Sequence, residues 1–289
     1  MTVQRIGVIG AGIMGRGIAQ VAAAGGYETL LHDVDPQQLE QSIAKIHSSL
    51  QRAHERGKVD ASVLKTVRTN LRATTSLEDV GGKADLVIEA VPERIHLKIE
   101  ILGELDRICP SHAILATNTS SLSVTEIAAV TQRAPQVVGM HFFNPVPRMR
   151  LLEIVRALES SDQTISIVEE VGVRMGKETV VVRESPGFIT TRTNALIGNE
   201  AFRMLEEGVA SASDIDKALK LGLNHPMGPF ELVDLVGLDT RLSILEYLHR
   251  TLGDRFRPSP LIVQYVKAGR LGRKVGKGVY EYPPSKEKA

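Results

Sequence analysis

Residues 4–15 limit the fold more than any other stretch of the chain. Gln4-Arg5-Ile6-Gly7-Val8-Ile9 reads as a strand and runs directly into Gly10-Ala11-Gly12-Ile13-Met14-Gly15. A helix-forming run, Ile18-Ala19-Gln20-Val21-Ala22, follows, and a second apolar segment closes on Leu30-Leu31-His32-Asp33. In isolation G-x-G-x-x-G says little, and a glycine turn of some other α/β protein would read the same. Placed between strand and helix, with an acid roughly 20 positions beyond its third glycine, it has the layout of a dinucleotide site. Gly10 permits the tight turn, Gly12 lets backbone approach a pyrophosphate, and Gly15 lets helix and strand pack closely. The helix N-terminus adds N–H groups and partial positive charge. Asp33 then selects the dinucleotide. A carboxylate there accepts hydrogen bonds from ribose hydroxyls and repels a 2′-phosphate. Val34 and Asp35 follow, so no arginine stands by to hold that phosphate. NAD is expected, not NADP.

At 289 residues and 43% hydrophobic composition the chain can form two domains with a sizeable core. A net charge of +1 argues against general nucleic-acid binding, and no long basic run points to a membrane surface. The single cysteine, Cys109, precludes an internal disulfide and reads as a structural thiol at a helix end. The first strand starts too near residue 1 for a signal peptide or transit segment to be expected. No apolar run approaches the ~20 residues of a membrane span. A soluble protein of the cytoplasm is the expectation.

To about residue 183, strand candidates alternate with amphipathic stretches such as Ile95–Ile108 and Ile165–Met175. The strands are Ile6–Ile9, Thr29–His32, Leu71–Thr74, Leu86–Ala90, Ala113–Thr117 and Val137–His141, with Leu151–Val155 and Thr179–Val182 as extensions. This alternation predicts an α/β, Rossmann-type doubly wound parallel sheet. Pro36–Lys58 reads as one long projecting helix. At Ser185-Pro186-Gly187 the pattern turns helical: Phe188–Leu205, Ala212–Leu221, Phe230–Leu252 and Leu261–Ala268, with Ser213 or Asp214 as one cap and Pro229 in a first turn. The division expected is residues 1–184 for NAD binding and 185–289 as an all-helical domain. Roughly 100 helical residues bury their apolar faces poorly alone, so this domain is a candidate homodimer surface. A polar tail follows Pro283.

Hydride transfer from an alcohol needs a base, most often histidine. His141 ends a strand in Gly139-Met140-His141-Phe142-Phe143-Asn144-Pro145, and strand carboxyl ends are where such sheets face their ligands. Glu153 lies in a strand-like segment able to return antiparallel and orient the imidazole. Spacing alone suits a structural histidine and a surface glutamate equally well. Asn118-Thr119-Ser120-Ser121 follows another buried strand. Ser121 and Ser123 read as helix caps, whereas Ser120 stays open to substrate or cofactor. No H-E-x-x-H or C-x-x-C spacing suggests a metal, and no G-x-S-x-G a serine hydrolase.

Five segments in order carry a resemblance: Gly10–Gly15, Asn118–Ser121, His141–Pro145, Ser185-Pro-Gly-Phe188 and Pro226-Met-Gly-Pro-Phe230. Together with Gly272-Arg-Lys-Val-Gly-Lys-Gly278 they resemble the L-3-hydroxyacyl-CoA dehydrogenase family, its short-chain bacterial members above all, over nearly the whole chain. The resemblance implies His141 as catalytic base, Glu153 as its carboxylate partner and Ser120 at the substrate hydroxyl near the nicotinamide. It implies Glu93, Lys98, Asn144 and Lys274 as NAD contacts beside Gly10, Gly12, Ile13, Met14, Gly15 and Asp33. Ser49 and Arg56 align more loosely with coenzyme A contacts. Lys45, Arg52, Arg56 and Lys58 form a basic set suited to its phosphates, or an ordinary solvated helix face. Thr191 departs from the family, standing where an active-site asparagine is common.

The implied function is reversible NAD-linked oxidation of a short-chain (S)-3-hydroxyacyl-CoA, such as 3-hydroxybutyryl-CoA, to the 3-oxoacyl-CoA. Two rivals stand beside it: a dehydrogenase of a free hydroxy acid such as a sugar acid, and a non-enzymatic NAD-binding module.

Overall fold

In the computed structural model, which describes residues 2–283, the chain divides into two compact units between Ser185 and Pro186. The polar tail beyond Pro283 lies outside the described residues. The first unit begins β1 (Arg5–Ile9), α1 (Ile13–Ala24), β2 (Glu28–His32), α2 (Pro36–Glu55), α3 (Ala61–Asn70), β3 (Leu71–Thr74) and α4 (Leu77–Gly81). It continues with β4 (Leu86–Glu89), α5 (Ile95–Ile108), β5 (Ile114–Thr117), α6 (Val124–Ala128), β6 (Val137–Phe142), β7 (Leu151–Arg156), α7 (Asp162–Arg174) and β8 (Glu178–Arg183). The strands form one sheet in the order β3-β2-β1-β4-β5-β6-β7-β8. Every pairing is parallel except β6 with β7.

Residue type explains this sheet. Val87, Ile88, Leu115, Val138 and Met140 are nearly solvent-free, as expected of strands covered by helices on both faces. The order in which strands are added reverses at β1, with β2 on one side and β4 on the other, which opens a crevice at the strand carboxyl ends. The sequence reading overran one helix and left out the next. The expected 36–58 helix stops at Glu55, just before Gly57 with φ +67, and α3 follows separately with Val67 as its buried residue. Ser123 caps α6, accepting from the Glu126 amide at 3.0 Å.

The second unit is helical: α8 (Thr190–Glu206), α9 (Ala212–Gly222), α10 (Pro229–Val236), α11 (Leu238–Leu252) and α12 (Pro260–Lys267), around Phe202, Phe230, Leu245, Leu248 and Phe256. The single helix read over 230–252 is two, because Gly237 adopts φ +105 and breaks it. Ser211, not Ser213 or Asp214, caps α9, accepting from the Asp214 amide. Asp216 and Asp234 organise the rest. Asp216 accepts from the Phe230 and Glu231 amides at 2.8 and 3.1 Å, and Asp234 from the Val279 and Tyr280 amides at 2.8 and 2.9 Å. A Cβ at Gly228 would collide with Asp216, and one at Gly272 or Gly278 with Asp234. The two glycine motifs of this unit therefore serve buried carboxylates. Among the described residues, no helix is long and apolar enough to cross a membrane.

Candidate active site

The glycine turn behaves as its spacing demands. Gly10 has φ +96, and a Cβ there would lie 2.8 Å from the Ala90 carbonyl oxygen. At Gly15 a Cβ would overlap the Gly10 carbonyl. At Gly12 a Cβ would meet nothing within 4 Å, so that space is open for a ligand. The first turn of α1 has no side-chain cap and no acid, leaving its amides and partial positive charge directed at that space. Asp33 is held by the Ala11 amide at 2.8 Å and the Asp35 amide at 3.1 Å. A cleft of about 960 Å³ runs past these groups, lined by Gly10, Gly12, Ile13, Met14, Asp33 and Ala90 among others. Glu78, Glu100 and Glu104 share its wall with Arg94. The open cradle, the aimed amides and the fixed carboxylate fit an NAD molecule. The acidic wall disfavours an added phosphate.

Further along the same sheet edge, β6 and β7 pair with His141 directly opposite Glu153. His141 Nδ1 lies 2.8 Å from Glu153 Oε2, and the residues are 6% and 1% exposed. This antiparallel return brings the two side chains together and buries Glu153, so it is not a surface glutamate. A carboxylate on Nδ1 holds the neutral-ring proton there and keeps the basic lone pair on Nε2. Phe143 packs on the imidazole with ring centroids 4.4 Å apart, limiting ring rotation.

Ser120 sits on the loop after β5. Its amide donates to Glu93 Oε1 at 2.9 Å and its hydroxyl lies 3.4 Å from the same oxygen. Asn118 Oδ1 accepts from the Phe142 amide at 2.9 Å, tying this loop to the end of β6 beside His141. Lys98 is only 1% exposed and donates to Glu89 at 2.8 and 3.0 Å. Glu89 and Thr117 belong to this hydrogen-bonded set and were missed by sequence reasoning. The available signal was a carboxylate closing the otherwise apolar run Leu86-Val87-Ile88-Glu89.

The other candidates are placed as follows. Asn144 is exposed on the β6–β7 loop, and Ser49 and Arg56 are exposed on α2 and at its C-terminal end. In the second unit, Lys274 Nζ pairs with Asp239 at 2.6 Å. Thr191 is half-buried in the first turn of α8, after a turn in which Gly187 and Phe188 have φ +75 and +50. Cys109 is buried at the end of α5, and burial pushes its thiol up to about 11.

Comparison with known proteins agrees with this geometry. The model of the 3-hydroxyacyl-CoA dehydrogenase NAD binding domain matches residues 5–185, and that of the C-terminal domain matches residues 187–282. A probable 3-hydroxybutyryl-CoA dehydrogenase of Bacillus subtilis is 48% identical over 283 residues, 98% of each chain. A 3-hydroxybutyryl-CoA dehydrogenase of Bradyrhizobium diazoefficiens is 42% identical, over 98% of this chain and 97% of that one. The crystal structure of an (S)-3-hydroxybutyryl-CoA dehydrogenase from Ralstonia eutropha matches with a TM-score of 0.95 at 42% identity, covering 98% of this chain and 100% of the other.

Proposed function

The chain belongs to the 3-hydroxyacyl-CoA dehydrogenase family, and on that footing we propose that it interconverts short-chain (S)-3-hydroxyacyl-CoA, 3-hydroxybutyryl-CoA foremost, and 3-oxoacyl-CoA. It is an NAD-dependent oxidoreductase. The observation that carries the chemistry is the buried His141–Glu153 pair at the carboxyl edge of the sheet.

Bound NAD⁺ supplies the hydride acceptor. Each remaining role falls to the chain. His141 Nε2 takes the proton from the C3 hydroxyl, and Glu153 stabilises the imidazolium so formed without itself taking the proton. Ser120, whose amide is held by Glu93, orients the substrate oxygen. Thr191 donates to the oxygen on which charge develops, through one hydroxyl where an amide would offer two donors. The turn amides of Gly12, Ile13 and Met14 hold the pyrophosphate, with Gly10 and Gly15 shaping the turn, and Asp33 takes the adenosine ribose. Glu93, Asn144 and Lys274 serve the nicotinamide half. Ser49 and Arg56, with the exposed cations Lys45, Arg52 and Lys58, meet the coenzyme A portion.

A homodimer through the helical unit fits the exposed Leu221, Leu223, Val209 and Leu235, which are 76%, 65%, 63% and 52% exposed. A cytoplasmic site of action fits a chain with one buried cysteine.

The test is a rate series with coenzyme A thioesters of increasing acyl length, run beside free 3-hydroxybutyrate, with NAD and NADP. Turnover of short thioesters with NAD is expected. Turnover of the free acid without thioester activity would transfer the protein to the hydroxy-acid reading.

A further inference from the structure

Lys177 is a buried ammonium for which the chemistry above has no use. It is 6% exposed, and its Nζ donates to the carbonyl oxygens of Val146 and Met149, the second at 2.8 Å. Among the described residues it has no carboxylate partner, and burial pulls its pKa below the usual lysine value. A charge buried without a counter-ion is destabilising. Methionine would fill much of the same space without that cost, so what the ammonium adds is its donors.

Both acceptors belong to the β6–β7 loop. In Asn144-Pro145-Val146-Pro147-Arg148-Met149 two prolines remove amide donors, so the loop cannot extend the ladder between β6 and β7. It folds as a turn, in which the Arg148 and Met149 amides donate to the Pro145 carbonyl at 2.9 and 3.0 Å. Lys177 then closes the turn from outside. Its own backbone is fixed: the Lys177 amide donates to the Gly172 carbonyl at the end of α7 at 3.0 Å, and the Glu178 amide donates to the Arg150 carbonyl at 2.8 Å.

A second contact seats the same loop. Val146 is 2% exposed and rests on α1, the helix that starts at the dinucleotide turn. A Cβ at Gly17 would lie 2.8 Å from the Val146 Cβ, so Gly17 is the notch that admits it. The residue that opens the loop, Phe143, lies against the His141 imidazole, with ring centroids 4.4 Å apart. Val146 follows closely in the chain, so its seat governs where the phenyl ring can lie.

We propose that Lys177 is a positioning residue for His141: its ammonium holds the β6–β7 loop down on Gly17, and the loop holds Phe143 against the imidazole. The proposal rests on the reading of His141 as the catalytic base.

The experiment uses the full-length protein and four variants: Lys177→Met, Phe143→Leu, the double variant, and His141→Ala. Two quantities are read: kcat/KM for 3-hydroxybutyryl-CoA at saturating NAD, and the amount of NADH bound per chain by titration of its fluorescence. Lys177→Met is expected to lower kcat/KM by about tenfold or more while binding as much NADH per chain as the parent. Phe143→Leu should lose a similar factor. In the Phe143→Leu background Lys177→Met should cost no more than about twofold, since residues acting in one line are not additive. A lysine that only stabilised the fold would give losses that multiply in the double variant, and that result overturns the proposal. So does a kcat/KM within about twofold of the parent in either single variant. His141→Ala separates the two layers. If it retains full kcat/KM, the reading of His141 fails and the proposal falls with it. If it is inactive while Lys177→Met matches the parent, only the line from Lys177 is wrong. Should Lys177→Met bind less NADH per chain than the parent, Lys177→Gln, which keeps donors on a shorter reach, takes its place. A fall of about threefold that vanishes in the Phe143→Leu background then supports the proposal, and an equal fall in both backgrounds overturns it.

Discussion

Glu153→Gln tests the dyad directly, because it keeps the size of the side chain and removes one charge. Glu153 and His141 are 1% and 6% exposed with 2.8 Å between Oε2 and Nδ1, so water screens the pair little. At an effective dielectric constant of about 20, unit charges about 4 Å apart attract by roughly 4 kcal/mol. Hydrogen bonds to charged groups contribute about 1.5–3 kcal/mol by mutation. The charge on the ring exists fully only as the proton arrives, so the loss falls on the transition state. A barrier raised by about 2–4 kcal/mol corresponds to roughly 30- to 1,000-fold in kcat. The amide adds a second effect: its N–H can donate to Nδ1, which moves the ring proton to Nε2 and removes the base. The assay is NADH formation at saturating NAD and 3-hydroxybutyryl-CoA, with NADH affinity measured separately and expected within about twofold of the parent. A kcat within about threefold of the parent would refute the role given to Glu153.

Gly12→Ala should leave the melting temperature within about 2 °C, because its Cβ meets nothing in the free protein, yet weaken NADH binding by about tenfold or more by filling the phosphate cradle; unchanged affinity would move the pyrophosphate elsewhere. Cys109, with its thiol pushed up to about 11, should alkylate at pH 8 about 100-fold more slowly than in denatured protein. Its rate should climb with pH until about 11, and fast modification near neutrality would contradict its burial. Thr191→Val removes a hydroxyl and keeps the shape, so kcat/KM should fall by ~10²–10³-fold if the hydroxyl stabilises the developing charge. An unchanged value would show that it makes no contact with the substrate, and Thr191→Asn should stay active if the contact is real.

Much of the first unit was legible in the sequence because its signals are local. The strand, the glycine turn, the helix and Asp33 occupy one continuous stretch, and each glycine answers a steric demand a few residues away. Alternation of apolar strands with amphipathic helices likewise sufficed for a doubly wound sheet, since parallel strands need helical crossovers. The second unit was less legible. Apolar periodicity runs on through Gly237, so nothing local marks the break between α10 and α11. The motif at Pro226–Phe230 gains its meaning from Asp216, which lies in another helix.

Sequence alone determined the candidates and the cofactor type, because side-chain chemistry and short spacings are properties of the chain itself. It did not determine which candidates meet. His141 faces Glu153 only through the antiparallel register of β6 and β7, in which a slip of one residue would turn Glu153 to the opposite face. Glu89, Lys98, Glu93 and Ser120 come from a strand, a helix and two loops, and no periodicity relates them. Tertiary structure decided their partnership, for a physical reason: charges withdrawn from water must find one another, and only the packed sheet determines which are withdrawn together.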